Sequence, residues 1–135
     1  MERKVCEQLW ATNKYLVLSH SHKVYLQIRE YLKQEVVEVA AVESMIQLAL
    51  SMEENPSAVV NAYQHIWSYF KKYATVEEKA QFLEGLKDYQ NGVAVKETIL
   101  KFLSELLEKY PNSYLEKATI FKQNQDGGSV DKTLA

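Results

Sequence analysis

The sequence predicts an all-α fold, a compact single-domain bundle of six or seven helices. Apolar residues recur at three- and four-residue spacing over most of the chain, the period of a helix face turned to a core. The breaks between those stretches carry helix start and stop signals, among them Asn55-Pro56-Ser57, Thr75-Val76-Glu77-Glu78 and Asn91-Gly92. Four Gly and two Pro in 135 residues suit long helices with short connections, and no stretch alternates as a strand would.

The first helix is expected over Glu2–Leu18, where Val5, Leu9, Leu16 and Cys6, Trp10, Val17 form two adjacent apolar rows. Ser19-His20-Ser21-His22 breaks it, with Ser as an N-cap. Lys23–Lys33 reads as a second helix carrying Val24, Leu26, Ile28, Tyr31 and Leu32. The third, Val36–Met52, spaces Val39, Val42, Ile46, Ala49 and Leu50 helically, and Asn55-Pro56-Ser57 ends it because proline disfavours helix in the residue before it.

The fourth helix, Val59–Tyr73, is the most informative. It sets Val59, Tyr63, Ile66, Trp67 and Phe70 on a core-facing side, with Asn61, His65, Ser68, Tyr69 and Lys72 opposite. Thr75 and Glu78 fit a capping box opening a fifth helix to Gln90, which buries Phe82, Leu83, Leu86 and Tyr89. Asn91-Gly92 stops it, Gly taking the left-handed conformation cheaply. A sixth helix spans Ala94–Lys109 with Val95, Ile99, Phe102, Leu103, Leu106 and Leu107 inward, and a short one at Tyr114–Phe121 follows Tyr110-Pro111. A helical domain over residues 1–122 then precedes a disordered tail at 123–135, which lacks apolar periodicity.

Apolar content of 47% and charged content of 25% are those of an ordinary soluble domain, large enough to bury a core without disulfides or metals. No apolar run reaches the roughly 18 residues of a membrane span, and the N-terminus lacks the apolar segment of a secretory signal. The single cysteine, Cys6, forms no intrachain disulfide, so a cytoplasmic location is expected, with Cys6 as a small core residue. A net charge of −2 excludes bulk attraction to polyanions, but the charge is uneven. Gln8–Arg29 and Asn55–Val76 hold no Asp or Glu, while residues 35–58 hold five acids and no base. Lys14, Lys23, Arg29, Lys71 and Lys72 with Tyr25 and Tyr69 would form one basic, aromatic surface if helices one, two and four converge. Tyrosines beside lysines stack on nucleobases as readily as they pack in cores.

No G-x-G-x-x-G, P-loop or C-x-x-C is present, so no dinucleotide, ATP or cluster cofactor is expected. His20 and His22 form an H-x-H whose members point apart on a helix, and with His65 as the one further histidine no metal site is expected. His20 or His22 instead caps a helix end. His65, opposite the predicted core, is either a functional group beside Asn61, Tyr69 and Lys72 or a structural histidine at a helix contact. No nucleophile pairs with it from the sequence.

Four short motifs, in order, resemble those of the bacterial YbgA-like domain. Asn13–Tyr25 is similar to its K-x-x-x-x-x-H-S-x-x-x-Y segment, and Asn61–Phe70 to its N-x-x-x-H-x-x-G-Y-F segment. Tyr89–Gly92 and Tyr110–Leu115 are similar to its Y-x-x-G and Y-P-x-x-x-L elements. Ser68 stands in place of the family's glycine, Val95 and Ile99 in place of prolines, and Ala118 in place of a glutamine. The family is a helical domain of unknown function, found alone or fused behind a thiouracil-desulfurase-like domain whose cysteines hold an iron–sulfur cluster. Where fused, it is understood to help engage thiolated RNA.

The resemblance and the acid-free runs together lead to the expectation of a non-catalytic RNA-interacting domain, with tRNA or another RNA as partner. Its candidate residues are Lys14, His20, Lys23, Tyr25, Asn61, His65, Tyr69 and Lys72. Two alternatives stand beside it: a module docking onto a separately encoded, desulfurase-like enzyme, and a small enzyme centred on His65.

Overall fold

In the computed structural model, which describes residues 2–122, every regular element is a helix. In order these are α1 (Glu2–His20), α2 (His22–Tyr31), α3 (Val39–Ser51), α4 (Pro56–Trp67), α5 (Val76–Gln90), α6 (Lys96–Lys109) and α7 (Ser113–Glu116). Residues 119–122 add a last helical turn. The expected tail at 123–135 lies outside the described residues.

The long helix α1 is the hub, packing against α2, α3, α4 and α7, while α4 also meets α5 and α6. The face of α4 read from the sequence is the one that is buried, with Val59, Ile66 and Phe70 fully enclosed and Tyr63 and Trp67 nearly so. Trp67 stacks flat on Phe82 at 4.7 Å between ring centres, locking α4 to α5, and Trp10 packs on Tyr25 at 5.3 Å, locking α1 to α2. Cys6 is fully buried, and that burial pushes its thiol above its ordinary pKa, so it packs as a small apolar residue.

Local capping behaves as the sequence indicates. The Ser21 hydroxyl accepts from the Val24 N–H at 3.1 Å, and Asn55 Oδ1 accepts from the Ala58 N–H at 2.8 Å with Pro56 in the first turn. Thr75 and Glu78 make the full capping box. Gly92, at φ 74°, ends α5 in the left-handed region.

Several boundaries and faces differ. The helix expected to reach Tyr73 stops at Trp67, and tight turns continue: the N–H groups of Tyr69, Phe70 and Tyr73 donate to the carbonyls three residues back. The Ser68 hydroxyl donates to the His65 carbonyl at 2.5 Å, a local bond that competes with the α-helical ladder. The tighter winding still buries Phe70, leaves Tyr69 half-buried against the core and turns Tyr73 outward. Helix α3 starts at Val39, three residues late, because its cap comes from elsewhere. Glu2 Oε1 accepts from the Val39 N–H at 3.2 Å, the Tyr31 hydroxyl accepts from the Glu38 N–H at 2.8 Å, and Arg3 Nη1 donates to the Leu32 carbonyl at 2.8 Å. Val5, Leu26, Leu83 and Val95, all expected inside, are exposed. Val5, Leu26 and Leu83 lie outside the buried stripes of their helices, and Val95 is the N-cap that precedes α6.

Candidate nucleic-acid interface

Because α1 packs along α4, the two acid-free runs lie side by side. Their junction is a hydrogen bond between the hydroxyls of Tyr15 and Tyr69, 2.7 Å apart. Tyr15 is buried and Tyr69 half-buried. Burial first, then the Tyr69 hydrogen bond, raises the Tyr15 phenol above its ordinary range.

The tyrosines continue outward as a ladder. The Tyr69 ring meets Tyr15 edge-on at 6.2 Å and stacks on Tyr114 at 6.1 Å, with only 13° between planes. Lys14 Nζ sits over both Tyr15 (5.4 Å) and Tyr114 (5.3 Å). Four residues beyond Tyr69, Tyr73 stacks on Tyr110 at 6.0 Å, flanked by the ammonium groups of Lys72 and Lys109. The His65 ring lies 6.5 Å from that of Tyr15. A carboxylate also reaches this face: Glu78 accepts from Lys109 Nζ and the Tyr110 hydroxyl, both at 2.8 Å.

Two clefts open beside the ladder. One, of about 300 Å³, is lined by Tyr69, Tyr73, Lys109, Tyr110, Pro111 and Asn112. The other, of about 380 Å³, includes Thr12, Tyr114 and Lys117. The stacked Tyr69–Tyr114 pair thus offers one ring to each. The Thr119 hydroxyl, 2.8 Å from Asn13 Oδ1, ties the chain after α7 back onto α1 and holds this arrangement closed.

The candidate residues therefore divide. Lys14, His65, Tyr69 and Lys72 share the ladder face. Asn61 lies on the same flank of α4, one turn before His65, and lines a larger cleft of about 670 Å³. Lys23 and Tyr25 are not brought to the ladder, because α2 packs on α1 and α3, and His20, the last residue of α1, is tied to Met52 and Glu54 instead. Tyr25 is buried, with Trp10 against it, His22 stacked at 6.1 Å and Arg29 at 5.8 Å, which leaves its ring no free face for a base. Lys23 is exposed at the start of α2.

His20 is a connector: its Nδ1 donates to the Met52 carbonyl at the end of α3 (2.8 Å), and its Nε2 lies 3.7 Å from Glu54. Glu54 in turn pairs with Lys96 of α6 and accepts from the Ser19 hydroxyl at 3.4 Å. Among the described residues no group of three His, Cys, Asp or Glu side chains is placed to hold a metal ion. Within those residues, too, no helix is long and apolar enough to cross a membrane.

Sequence reasoning missed Tyr15, Tyr73, Tyr110, Tyr114 and Lys109. Helical spacing gives no signal for them: Tyr69 and Tyr73 lie in the turns after α4, and Tyr110 and Tyr114 straddle the break at Pro111, so their stacking follows from how those two segments pack.

Residues 14–124 match the family model described as a protein of unknown function (DUF1722), consistent with the YbgA-like resemblance and covering most of the chain. No curated protein and no solved structure matches.

Proposed function

The chain belongs to the DUF1722 family, and from that premise we propose that it is a non-catalytic, cytoplasmic RNA-interacting domain that engages single-stranded or looped RNA on its tyrosine ladder. The observation that carries this is that the two acid-free runs meet at Tyr15 and Tyr69, and that Tyr110 and Tyr114 of the α6–α7 segment stack on the second run to extend one tyrosine surface with lysine ammonium groups over its rings. Rings of this kind accept any base by its π-face, and the lysines neutralise the phosphates that accompany it. The resemblance to domains fused behind thiouridine desulfurases makes tRNA the first RNA to try. Neither the docking nor the enzymatic alternative draws comparable support. The docking reading has no cleft or charge pattern behind it comparable to the ladder, and His65 is exposed and lines none of the three clefts described.

The test is fluorescence anisotropy with labelled tRNA and a single-stranded oligonucleotide at two salt concentrations. Binding should weaken steeply with salt, and Lys14→Ala should flatten the log–log slope by about 0.7 for a single-strand phosphate contact. Tyr114→Ala should weaken binding about tenfold, the loss of one base–aromatic stack. Undetectable binding at low salt, or a Tyr114→Ala variant that binds like the parent, would refute the assignment.

A further inference from the structure

The cleft at the start of α4 has a chemistry unlike that of the ladder. It measures about 670 Å³, within the usual range of small-molecule sites, and lies between the first turns of α4, His22 at the head of α2 and Gln90 at the end of α5. No Lys, Arg, Asp or Glu lines it. Its polar groups are largely carboxamides, Asn61, Gln64 and Gln90, over the apolar surface of Pro56, Ala58 and Val60. Asn55 also lines it, but its Oδ1 is committed to the Ala58 N–H. With no Lys, Arg, Asp or Glu side chain, the cleft lacks the ammonium, guanidinium and carboxylate groups that hold phosphates or cations by charge, and its side-chain contacts are set mainly by amide groups. A carboxamide offers an N–H donor beside a C=O acceptor, the pattern that pairs with a nucleobase edge carrying an acceptor beside a donor. An unpaired adenine presents that pattern on two separate edges, N1/N6 and N7/N6, and can meet an Asn or Gln amide by either, whereas the N7/O6 edge of guanine carries only acceptors and calls for Arg or Lys.

We infer that this amide-lined cleft is a nucleobase-reading pocket, best suited to adenine, that takes a base from the strand held on the ladder. The inference deepens the RNA reading and rests on it for the polymer, but base capture is testable without the polymer. Asn61 sits one helical turn, about 5–6 Å, before His65 on α4, and His65 leads on to Tyr69. A strand stacked on Tyr69 and Tyr114 thus needs to extend only along one flank of α4 to place a base among the amides. The ladder would supply affinity independent of sequence, and the cleft would supply the choice of base.

The experiment is a titration of the ¹⁵N-labelled full chain with each of the four ribonucleosides, following the side-chain NH₂ signals of Asn61, Gln64 and Gln90. Those signals should move most with adenosine. Gln64→Ala and Gln90→Ala, both at exposed positions that the fold tolerates, should each weaken adenosine binding about tenfold. Amide signals that no nucleoside moves, or shifts that survive the Gln64→Ala/Gln90→Ala pair, would overturn the inference even if RNA binds the ladder. Nucleoside binding at the amides with no polymer binding would uphold the pocket and sink the ladder assignment, so the two failures are distinguishable.

Discussion

Removing the Tyr69 hydroxyl should cost more stability than removing the Tyr15 hydroxyl, although both changes delete the same hydrogen bond. Tyr15 is 5% exposed and its hydroxyl has Tyr69 as partner at 2.7 Å, whereas Tyr69 is half-buried. In Tyr69→Phe the buried Tyr15 hydroxyl loses that partner, at a cost of about 1–3 kcal/mol. In Tyr15→Phe the Tyr69 hydroxyl can turn to water, so only the net value of the bond is lost, about 0.5–1.5 kcal/mol. The double variant leaves no orphaned group and should cost less than the sum of the two single changes. Urea unfolding reads this directly: with a slope of about 1–3 kcal/mol/M, Tyr69→Phe should lower the midpoint by roughly 1 M at unchanged slope. Because Tyr15 is held protonated, the ranking should be the same at pH 6 and pH 9. Tyr69→Phe keeps the ring and should bind RNA nearly as the parent does, while Tyr69→Ala should lose about tenfold. A larger cost for Tyr15→Phe, or strict additivity in the double variant, would refute the burial asymmetry on which the ranking depends.

The Glu78 carboxyl is held down at about 2 by hydrogen bonds from Lys109, from the Thr75 N–H and from the Tyr110 hydroxyl, in that order of weight. A group depressed on folding contributes stability above its unfolded value near 4.5 and loses it as pH falls toward 2; urea midpoints should therefore drop across that window, and Glu78→Gln should flatten the drop. The two glycines should respond in opposite senses to alanine. Gly85, inside α5 with its nearest neighbour at 3.5 Å, should gain about 0.5–1 kcal/mol, since alanine is the better helix former. Gly92 has open space but φ +74°, so Gly92→Ala should lose about 1–2 kcal/mol, and thermal melts of the two variants check both signs.

Most of the fold was legible because its signals are local. Ser21, Asn55-Pro56, Thr75–Glu78 and Gly92 each act through atoms within a few residues, and each does in the structure what its residue type suggests. The failures mark where partners come from far along the chain. Nothing near Val39 shows that Glu2, thirty-seven residues earlier, accepts from its N–H, so the start of α3 was read too early. Periodicity likewise assigns Leu83 and Val5 to apolar rows without showing where the covering helix ends. The turn after Trp67 escaped because Ser68 is compatible with helix, and only its bond to the His65 carbonyl shows the tighter winding.

The candidate site was legible as composition and not as geometry, and its tyrosines show why. Acid-free runs can be counted in a sequence, but that they adjoin follows only from the packing of α1 on α4. The same packing bears on what the tyrosines are for. Tyr69 and Tyr114 already stack on each other, and Tyr15 fixes Tyr69 by its hydroxyl, so these rings are structural members as well as exposed surfaces. The two roles support each other. A ring whose rotamer is set by folding gives up little further freedom when a base stacks on it, and immobilising a free side chain would cost about 0.5–1.5 kcal/mol each time. Tyr25 shows the other limit: it too has a cation and aromatic neighbours, but packing encloses its ring and leaves nothing to offer a base. Tyrosine beside lysine therefore describes Tyr25 as well as Tyr69 and Tyr114, and what sorts them is that Tyr69 and Tyr114 each line a cleft while packing encloses the Tyr25 ring.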